Sequence, residues 1–543
     1  MSAFRPVERL DTHEVSNQVP PLEDVDLFTG DRALNDAVRR WGGAGHGERL
    51  TDLGRRCGSA EVIDWGVQAN RVTPVLDTHD RYGRRIDEVT FHPAYHQLMG
   101  LGLGAGIAAG AWDGTPNGHL LHAAILFLTG QADSGTSCPM TMTYASVAAL
   151  QADPAAGEPW IKGVLSGRYD PTVRPAIEKA GVTLGMAMTE KQGGSDVRAN
   201  TTRANTTRAG PVGEDGWYSL TGHKWFCSAP MCDAFLTLAY APGGLTCFIL
   251  PRWLPDGTRN AGFRVMRLKD KMGDRSNASS EVEYHGALAQ RLGEEGRGVA
   301  TIIRMVQHTR LDCVVGSALQ MRGALAQAVW HAAHRTAFQK RLIDQPMMAA
   351  VLTDLAVESE AATALSMRLA ATFDADDAVG RLLTPVAKYW VCKRAPNMVY
   401  EAMEALGGAG YVETGPMPRL FRQSPLNAIW EGSGNVIALD VLRAAGREPE
   451  GVEALRGWLA SQAGKSADYD RFIAGLDVTA NEAGARLAVE RLALAAQAAA
   501  LLEMDSPSAE AFIALRLRPR GVAYGAYEVE VDQRAVLERA MPV

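Results

Sequence analysis

The sequence lacks any apolar run of the roughly 18 residues that a membrane-spanning helix needs. The longest candidate, residues 100–112, is short and rich in Gly and Ala. The first residues, MSAFRP, contain no apolar core of the kind found in signal peptides. An excess of positive charge is also missing, since the net charge is -7 and the pI about 6.0. This balance excludes a wholly basic nucleic-acid binder but leaves room for a local basic patch.

Cysteine is scarce, with seven residues in 543 and no CxxC pair. The odd number and the wide spacing argue against both a zinc site and a disulfide framework. We expect buried, reduced thiols, which are typical of a cytoplasmic protein. His308, His331 and His334 lie in helical patterns without an acidic partner at ligand spacing. We interpret them as core or surface histidines and predict no metal site.

The period of the hydrophobic pattern changes twice along the chain. Helical spacing dominates before residue 183 and after Gly298, whereas short alternating runs separated by turns lie between them. The helix, β, helix order argues against a doubly wound nucleotide-binding fold. The predicted units are an extended arm over 1–38 that contacts a neighbouring subunit, a helical domain over 39–182, a β domain over 183–290, a helical bundle over 291–444 and a helical extension over 445–543.

Several local patterns refine this division. Strands are predicted at 217–221, 235–240, 246–250 and 280–284, with turns at 215–216, 242–244 and 255–257. The tandem repeat RANTT at 198–202 and 203–207 predicts a surface loop. Pro396 predicts a kink or a break in the helix that contains it. Residues 104–109 fit GxGxxA formally, but no strand precedes them, so close helix packing explains them better than a dinucleotide site.

The most informative stretch is MTEKQGGSDV at 188–197. Its Gly-Gly pair allows close approach of the backbone, and its hydroxyls and exposed amides can bind phosphate oxygens or ring carbonyls. GHKWFCS at 222–228 follows and places aromatic residues among polar ones. Together they predict a polar loop and an aromatic wall around a flat ring cofactor. A tight turn in a β-rich region is the alternative interpretation.

Three later motifs carry a family resemblance. RTAFQKRLIDQ at 335–345 resembles R-x-x-F-G-x-x-L-x-x-x-Q, LGGAGY at 406–411 resembles (L/F)GGxGY, and IWEGSGN at 429–435 resembles (I/Y)-Y-E-G-T. In this order and spacing they resemble an acyl-CoA dehydrogenase over residues 60–445. MTEKQGGSDV, GHKWFCS and RLKDKMGDRSNASSEVE are similar to the AidB branch, the flavoproteins linked to DNA alkylation damage. The long arm and the C-terminal extension also match that branch.

The resemblance implies an α+β, mostly helical fold with a helical N-terminal domain, a β-barrel-like middle domain, a helical bundle and the extension. It also implies FAD in a homotetramer whose cofactor sites are shared between subunits. Glu431 matches the base that removes the α-proton of an acyl-CoA, and a water-poor pocket is expected to raise its pKa. The implied FAD contacts are Met188, Thr189, Gly194, Ser195, Trp225, Phe226, Ser228, Arg335, Phe338, Gln345, Gly407, Gly408, Gly410, Ser433 and Asn435, with Glu190, Gln192 and Gly193 shaping the loop.

The sequence departs from the family pattern at three positions. Gln339 replaces a Gly, Ser433 replaces a Thr after the base, and Trp430 replaces the Tyr before it. The larger Trp430 is expected to narrow the acyl pocket. That expectation puts efficient turnover of acyl-CoA in doubt.

For the extension the resemblance implies binding of double-stranded DNA. From Arg447 onward the chain has 11 Lys or Arg against 15 Asp or Glu, so a phosphate-binding face needs local clustering. The candidates are Arg443, Arg447, Arg516, Arg518 and Arg520. A helical oligomerisation domain is the alternative. Three functions follow: a DNA-binding flavoprotein of the alkylation response that protects or repairs DNA and has weak isovaleryl-CoA-like dehydrogenase activity, an ordinary short- or branched-chain acyl-CoA dehydrogenase without a DNA role, or a flavin-bearing structural subunit without turnover.

Overall fold

The computed structural model describes residues 6–206, 216–476 and 481–542. Three predictions lie partly outside the described residues: the arm at 1–5, the second copy of the repeat at 207 and the turn at 215. Within those ranges, none of the helices combines the length and the apolarity required to cross a membrane.

The N-terminal domain is helical with one β-hairpin. Its first helix begins where the Asp31 carboxylate accepts the Leu34 N–H at 3.1 Å, and Leu34, Ala37 and Val38 form its buried face. The hairpin was not predicted, because both of its strands are short and largely polar. The elements are α1 (Arg32–Arg40), α2 (Gly47–Cys57), α3 (Ala60–Arg71), β1 (Val75–His79), β2 (Arg85–Thr90), α4 (Pro93–Gly104), α5 (Gly118–Ala132), α6 (Ser137–Leu150) and α7 (Pro154–Leu165).

The middle domain contains β3 (Leu184–Ala187), β4 (Arg203–Thr206), β5 (Trp217–Ser228), β6 (Ala234–Ala241), β7 (Gly244–Pro251), β8 (Phe263–Leu268) and β9 (Ser279–Leu292). Strands β6, β4, β5, β9 and β7 pair in that order, and β7 pairs with β6. The ring closes, which confirms the predicted barrel-like domain. The second copy of the RANTT repeat forms β4, so the loop prediction was wrong there. Its Ala204 is buried in the barrel core.

The bundle contains α8 (Gly298–His334), β10 (Thr336–Ala337), β11 (Lys340–Arg341), α9 (Pro346–Asp374), α10 (Val379–Ala405), α11 (Gly408–Tyr411), α12 (Met417–Gln423) and α13 (Gly434–Arg447). Helix α10 continues through Pro385 and Pro396, so the predicted break at Pro396 is absent. Ala395, Met398 and Val399 around that proline are fully buried. Packing on neighbouring helices holds α10 together where the proline removes a backbone hydrogen bond.

The extension contains α14 (Pro449–Ala460), α15 (Ala467–Ala474), α16 (Ala485–Glu503), α17 (Ala509–Arg516) and α18 (Gln533–Ala540). Helix α16 packs on α9 and α10, and α18 packs on α9 and α1. The extension therefore shares the hydrophobic core of the bundle. All seven cysteines are buried and unpaired, as predicted.

The arm contacts the bundle of its own chain. The Trp330 indole at the end of α8 donates to the Pro20 carbonyl at 2.8 Å. The Asn17 side chain donates to the Thr336 carbonyl and accepts from the Thr336 N–H, both at 2.9 Å. A contact of the arm with a neighbouring subunit stays a prediction.

Candidate active site

Glu431 lies in the loop between α12 and α13, in a left-handed backbone conformation with φ of 56°. Such a backbone is strained for a non-glycine residue and persists only where its surroundings enforce it. Its Oε2 accepts the Thr309 hydroxyl of α8 at 2.7 Å. Burial raises the pKa of Glu431, against the opposing effects of Thr309, Arg310 and Lys388. A carboxyl with a raised pKa in a recessed position is suited to accept a proton.

Two buried cations hold the loop that carries Glu431. Lys388 of α10 donates to the Trp430 carbonyl at 2.8 Å and also to the Gly432 carbonyl. Arg310 of α8 donates to the Glu431 carbonyl at 3.2 Å. Three consecutive carbonyls are thus fixed by two helices, which explains the strained backbone. Sequence reasoning missed these cations. Lys388, within the apolar stretch of α10, was a usable signal, since a buried charge requires partners.

The aromatic wall stands at a bulge in β5, where the pairing with β9 shifts register. Trp225 and Phe226 lie in this bulge, and Phe226 is 50% exposed. The Lys269 ammonium sits 3.2 Å from the centroid of the Trp225 ring. The Trp225 N–H donates to the Thr189 carbonyl at 2.7 Å, so the wall and the polar loop are neighbours as predicted. Ser228, at the end of β5, is half-buried.

The polar loop is organised by Glu190, which is fully buried. Its carboxylate accepts hydrogen bonds from the backbone and hydroxyl groups of Thr201 and Thr202, from Gln192 and from the Lys224 ammonium at 2.9 Å. Burial raises the pKa of Glu190, but Lys224 and the threonine donors outweigh it and hold the pKa well below its usual range. Glu190 is therefore a permanent anion inside the loop. Met188 and Thr189 before it are half-buried, whereas residues 191–196, which include Gly194 and Ser195, are exposed.

We expect Glu190→Gln to lower the stability of the middle domain by about 3–5 kcal/mol, because the change leaves the Lys224 ammonium buried without its counter-charge. Thermal unfolding followed by circular dichroism measures the loss. Glu190→Gln/Lys224→Met is the matched control, and it should recover most of the stability because no unpaired charge remains. A double variant as unstable as the single one would contradict the ion-pair explanation.

Cys138, in the first turn of α6, is buried. Burial is the largest effect on the pKa of the Cys138 thiol and raises it to about 12, so the thiol is neutral. A hydrogen bond with Ser228 lowers this pKa, whereas the charge of Glu431 raises it.

The hairpin β10–β11 turns at Phe338 and Gln339, which have φ of 50° and 66°. A glycine at position 339 would adopt this conformation without strain, which gives the family pattern a physical reason. Phe338 is 93% exposed, and Gln345 donates to the Ala337 carbonyl at 3.1 Å. The half-buried Arg335 donates to the Asn17 carbonyl of the arm.

The predicted cofactor contacts fall into separate groups. Arg335 follows Thr309 by 26 residues at the far end of α8, which corresponds to about 39 Å of helix. The hairpin is therefore far from Glu431 of the same chain. Gly407 and Gly408 are exposed at the start of α11, whereas a Cβ on Gly410 would lie 2.1 Å from a backbone oxygen.

Ser433 and Asn435 are exposed at the start of α13, directly after Glu431. Asn435 accepts a hydrogen bond from Arg486 of the extension at 3.3 Å. The Trp430 indole donates to Asn427 at 2.8 Å, and the predicted narrowing of a pocket by this ring stays a prediction.

The arginines of the extension have different surroundings. Arg516 is buried and pairs with Asp354 and Glu358 of α9, and Arg520 pairs with Asp354 at 2.9 Å. Both guanidinium groups are engaged inside the chain, so their expected role as phosphate contacts is not supported. Arg518 is half-exposed and pairs with Asp468.

Arg443 and Arg447 are exposed on α13. Among the described residues neither forms an ion pair.

The three histidines of α8 lie in different surroundings. His308 packs in an aromatic cluster beside Trp112 and Phe373, and His334 is hydrogen-bonded to the Trp330 carbonyl. His331 is buried on α8.

A helical domain, a closed β domain and a helical bundle around a recessed carboxylate define a flavoprotein of the acyl-CoA dehydrogenase class. The chain is 43% identical over 522 residues to the acyl-CoA dehydrogenase AidB of Escherichia coli (strain K12). The match covers 94% of this chain and 95% of that protein. The chain therefore belongs to the AidB branch of the acyl-CoA dehydrogenase family.

Other comparisons agree. Residues 17–171 match the adaptive response protein AidB N-terminal domain, 185–287 the acyl-CoA dehydrogenase middle domain, and 296–446 the acyl-CoA dehydrogenase C-terminal domain. Acyl-CoA dehydrogenase family member 11 of Caenorhabditis elegans is 33% identical over 422 residues, 74% of this chain and 67% of that protein. The structure of C. elegans ACDH-11 in complex with C11-CoA superposes with a TM-score of 0.82 at 26% identity, covering 95% and 94% of the two chains.

The family is FAD-dependent, and the chain is an FAD-dependent oxidoreductase of this class. The described residues fit a flavin. The half-exposed Phe226 ring offers an aromatic face, the exposed loop after Thr189 offers backbone donors, and Gly193 with φ of 136° leaves open space where a Cβ would stand. Bound FAD would supply the acceptor for a hydride.

Proposed function

We propose that the chain is an alkylation-response flavoprotein that associates with DNA and retains weak dehydrogenation of short acyl-CoA thioesters. The observation that carries the chemistry is Glu431, a recessed carboxyl whose pKa is raised by burial and whose Oε2 accepts the Thr309 hydroxyl at 2.7 Å. Glu431 accepts the α-proton of the thioester at Oε1 or Oε2. Thr309 donates to Oε2 and stabilises the carboxylate form before the proton is taken.

The positions of Lys388 and Arg310 support this role. Both bind backbone carbonyls of the Glu431 loop, so they fix the carboxylate without neutralising it by direct pairing. A base held by helices on two sides keeps its geometry when water leaves the site. The remaining contribution of the chain is the aromatic face of the half-exposed Phe226.

We also propose that the cofactor site is shared between subunits of a homotetramer. About 39 Å of helix separates Arg335 from the Glu431 pocket, so one chain cannot bring the two groups together. Phe338 in the β10–β11 turn and Tyr411 and Val412 after Gly410 are exposed apolar groups that a partner would cover.

The DNA part of the proposal is supported by the relation to AidB, whose N-terminal domain model carries the name of the adaptive response. With Arg516 and Arg520 engaged internally and Arg518 paired with Asp468, the candidates without an ion pair among the described residues are Arg443 and Arg447. They are four residues apart on α13 and therefore lie on one face of the helix.

We expect Arg443→Ala/Arg447→Ala to weaken binding to a duplex of arbitrary sequence and to reduce the slope of log K against log salt by about 2. Fluorescence anisotropy of the full-length protein at several salt concentrations measures both quantities. Point variants are required because α16 and α17 complete the bundle core. Arg534→Ala on α18, an exposed arginine that pairs with Glu538, is the matched control. An unchanged slope in the double variant would remove α13 from the DNA interface.

An ordinary metabolic acyl-CoA dehydrogenase is the second candidate. The C11-CoA in the ACDH-11 complex favours acyl-CoA as a ligand class for this architecture. Rapid turnover of an acyl-CoA together with no salt-dependent binding to duplex DNA would select this candidate.

A further inference from the structure

The arm of the chain is joined to the hairpin β10–β11 through the side chain of Asn17. Its amide nitrogen donates to the Thr336 carbonyl at 2.9 Å, and its amide oxygen accepts from the Thr336 N–H at 2.9 Å. The Thr336 hydroxyl donates to the same oxygen at 2.8 Å. The amide thus pairs with both backbone groups of Thr336, as the backbone of a neighbouring antiparallel strand would. One side chain therefore holds the start of a hairpin that lies 319 residues away in the sequence.

The backbone of the arm at Asn17 also suits this contact. Its φ is 55°, in the left-handed region that most residues avoid and that Asn adopts more readily than other non-glycine residues. Three residues further on, the Pro20 carbonyl accepts the Trp330 indole N–H of α8 at 2.8 Å. The arm is therefore fixed both to the last turns of α8 and to the hairpin that follows this helix.

Arg335, directly before Thr336, is oriented by the same residue of the arm, since its guanidinium donates to the Asn17 carbonyl. Arg335 is half-buried, and within the part of the chain that the structure describes it has no carboxylate partner. A guanidinium has five N–H donors in a fixed fork. One bond to a neutral carbonyl therefore fixes its direction and leaves its charge and most of its donors for an anion. The pyrophosphate of a dinucleotide is an anion that matches this fork.

We infer that Asn17 is a positioning residue of the cofactor site, which fixes the hairpin β10–β11 and aims Arg335 at the pyrophosphate of FAD bound by a second copy of the chain. The arm thereby becomes part of that site, although it precedes the helical N-terminal domain. The inference rests on the proposed sharing of the cofactor site between subunits. It adds to that site a residue that acts through Arg335 rather than by touching the cofactor.

The test measures the affinity of the full-length holoprotein for FAD, from the fluorescence of FAD released on dilution. Asn17→Gly keeps the left-handed backbone accessible and removes only the amide of an exposed residue, so the core is not disturbed. We expect about tenfold weaker binding of FAD, the equivalent of one net hydrogen bond, and faster hydrogen exchange of the Thr336 amide. Gln18→Ala is the matched control and should leave both quantities unaltered, because the Gln18 side chain donates to the Ser16 carbonyl within the arm.

Arg335→Ala shows whether Asn17 acts through Arg335. If it does, Asn17→Gly/Arg335→Ala should bind FAD no more weakly than Arg335→Ala alone, because the two losses are then not additive. Additive losses, or a loss of FAD only where sedimentation shows dissociated subunits, would overturn the positioning role. FAD affinity that is unaltered in Asn17→Gly but reduced in Arg335→Ala would also overturn it and would leave the shared site in place. Unaltered affinity in Arg335→Ala would remove the shared site and the inference with it.

Discussion

Glu431→Gln is expected to reduce the rate of flavin bleaching by isovaleryl-CoA by about a thousandfold under anaerobic conditions. The amide has nearly the same shape as the carboxylate and can still accept the Thr309 hydroxyl, so the loop should keep its conformation. It cannot accept the α-proton at any accessible pH. Stopped-flow absorbance of the FAD-loaded protein measures the rate, and calorimetric titration with the same thioester checks that binding survives.

The pH dependence gives a second expectation for the same residue. Burial raises the pKa of Glu431, and only the deprotonated form is a base. The bleaching rate should therefore fall as the pH is lowered through this raised pKa and level off above it. Thr309→Val removes the hydrogen bond that stabilises the carboxylate, so it should move the midpoint to higher pH. If Glu431→Gln loses the bleaching rate a thousandfold but Thr309→Val does not move the pH midpoint, Glu431 is the base and Thr309 does not stabilise its carboxylate. Unchanged bleaching in Glu431→Gln would remove Glu431 from the mechanism.

The helix, β, helix order of the elements could be predicted from the sequence because it depends on local patterns, whereas the roles of Trp225, Phe226 and Glu431 stay predictions. Alternating runs marked four of the seven barrel strands, and the WEG motif marked Glu431. The missed strands, such as β4 and β8, are short, and their hydrogen-bond partners are distant in sequence. Their assignment depends on pairing that no local pattern contains.

Lys388 and Arg310 could not be assigned to the site from local sequence patterns for a different reason. Lys388 and Arg310 act on backbone carbonyls of residues more than 40 positions away, and only the folded bundle brings them together. Arg516 and Arg520 show the opposite error. Their RLRPR sequence looks like a basic patch, yet their partners Asp354 and Glu358 lie on α9 and reverse the interpretation.

A buried cluster of Asp354, Glu358, Arg394 and Arg516 joins the extension to the bundle. Glu358 is buried and accepts hydrogen bonds from Arg394 at 2.7 Å and 3.0 Å and from Arg516 at 2.5 Å and 3.0 Å. Burial raises the pKa of Glu358, but Arg516 and Arg394 outweigh it and lower the pKa to about 2. Since the folded pKa is lower than the unfolded one, the ionised carboxylate stabilises the folded state. This contribution is complete above pH 4.5 and is lost as the pH falls toward 2.

Glu358→Ala is therefore expected to reduce the free energy of unfolding by about 3–5 kcal/mol at neutral pH, because it leaves the guanidinium groups of Arg394 and Arg516 buried without a counter-charge. Urea denaturation measures the loss, and limited proteolysis should show earlier cleavage between α13 and α16 as the extension separates from α9. Glu453→Ala, which removes an exposed partner of Arg456 on α14, is the matched control and should change little. If both variants unfold at the same urea concentration, the Asp354–Glu358 cluster does not hold the extension, and the extension would then be a separable domain whose arginines become available to other partners.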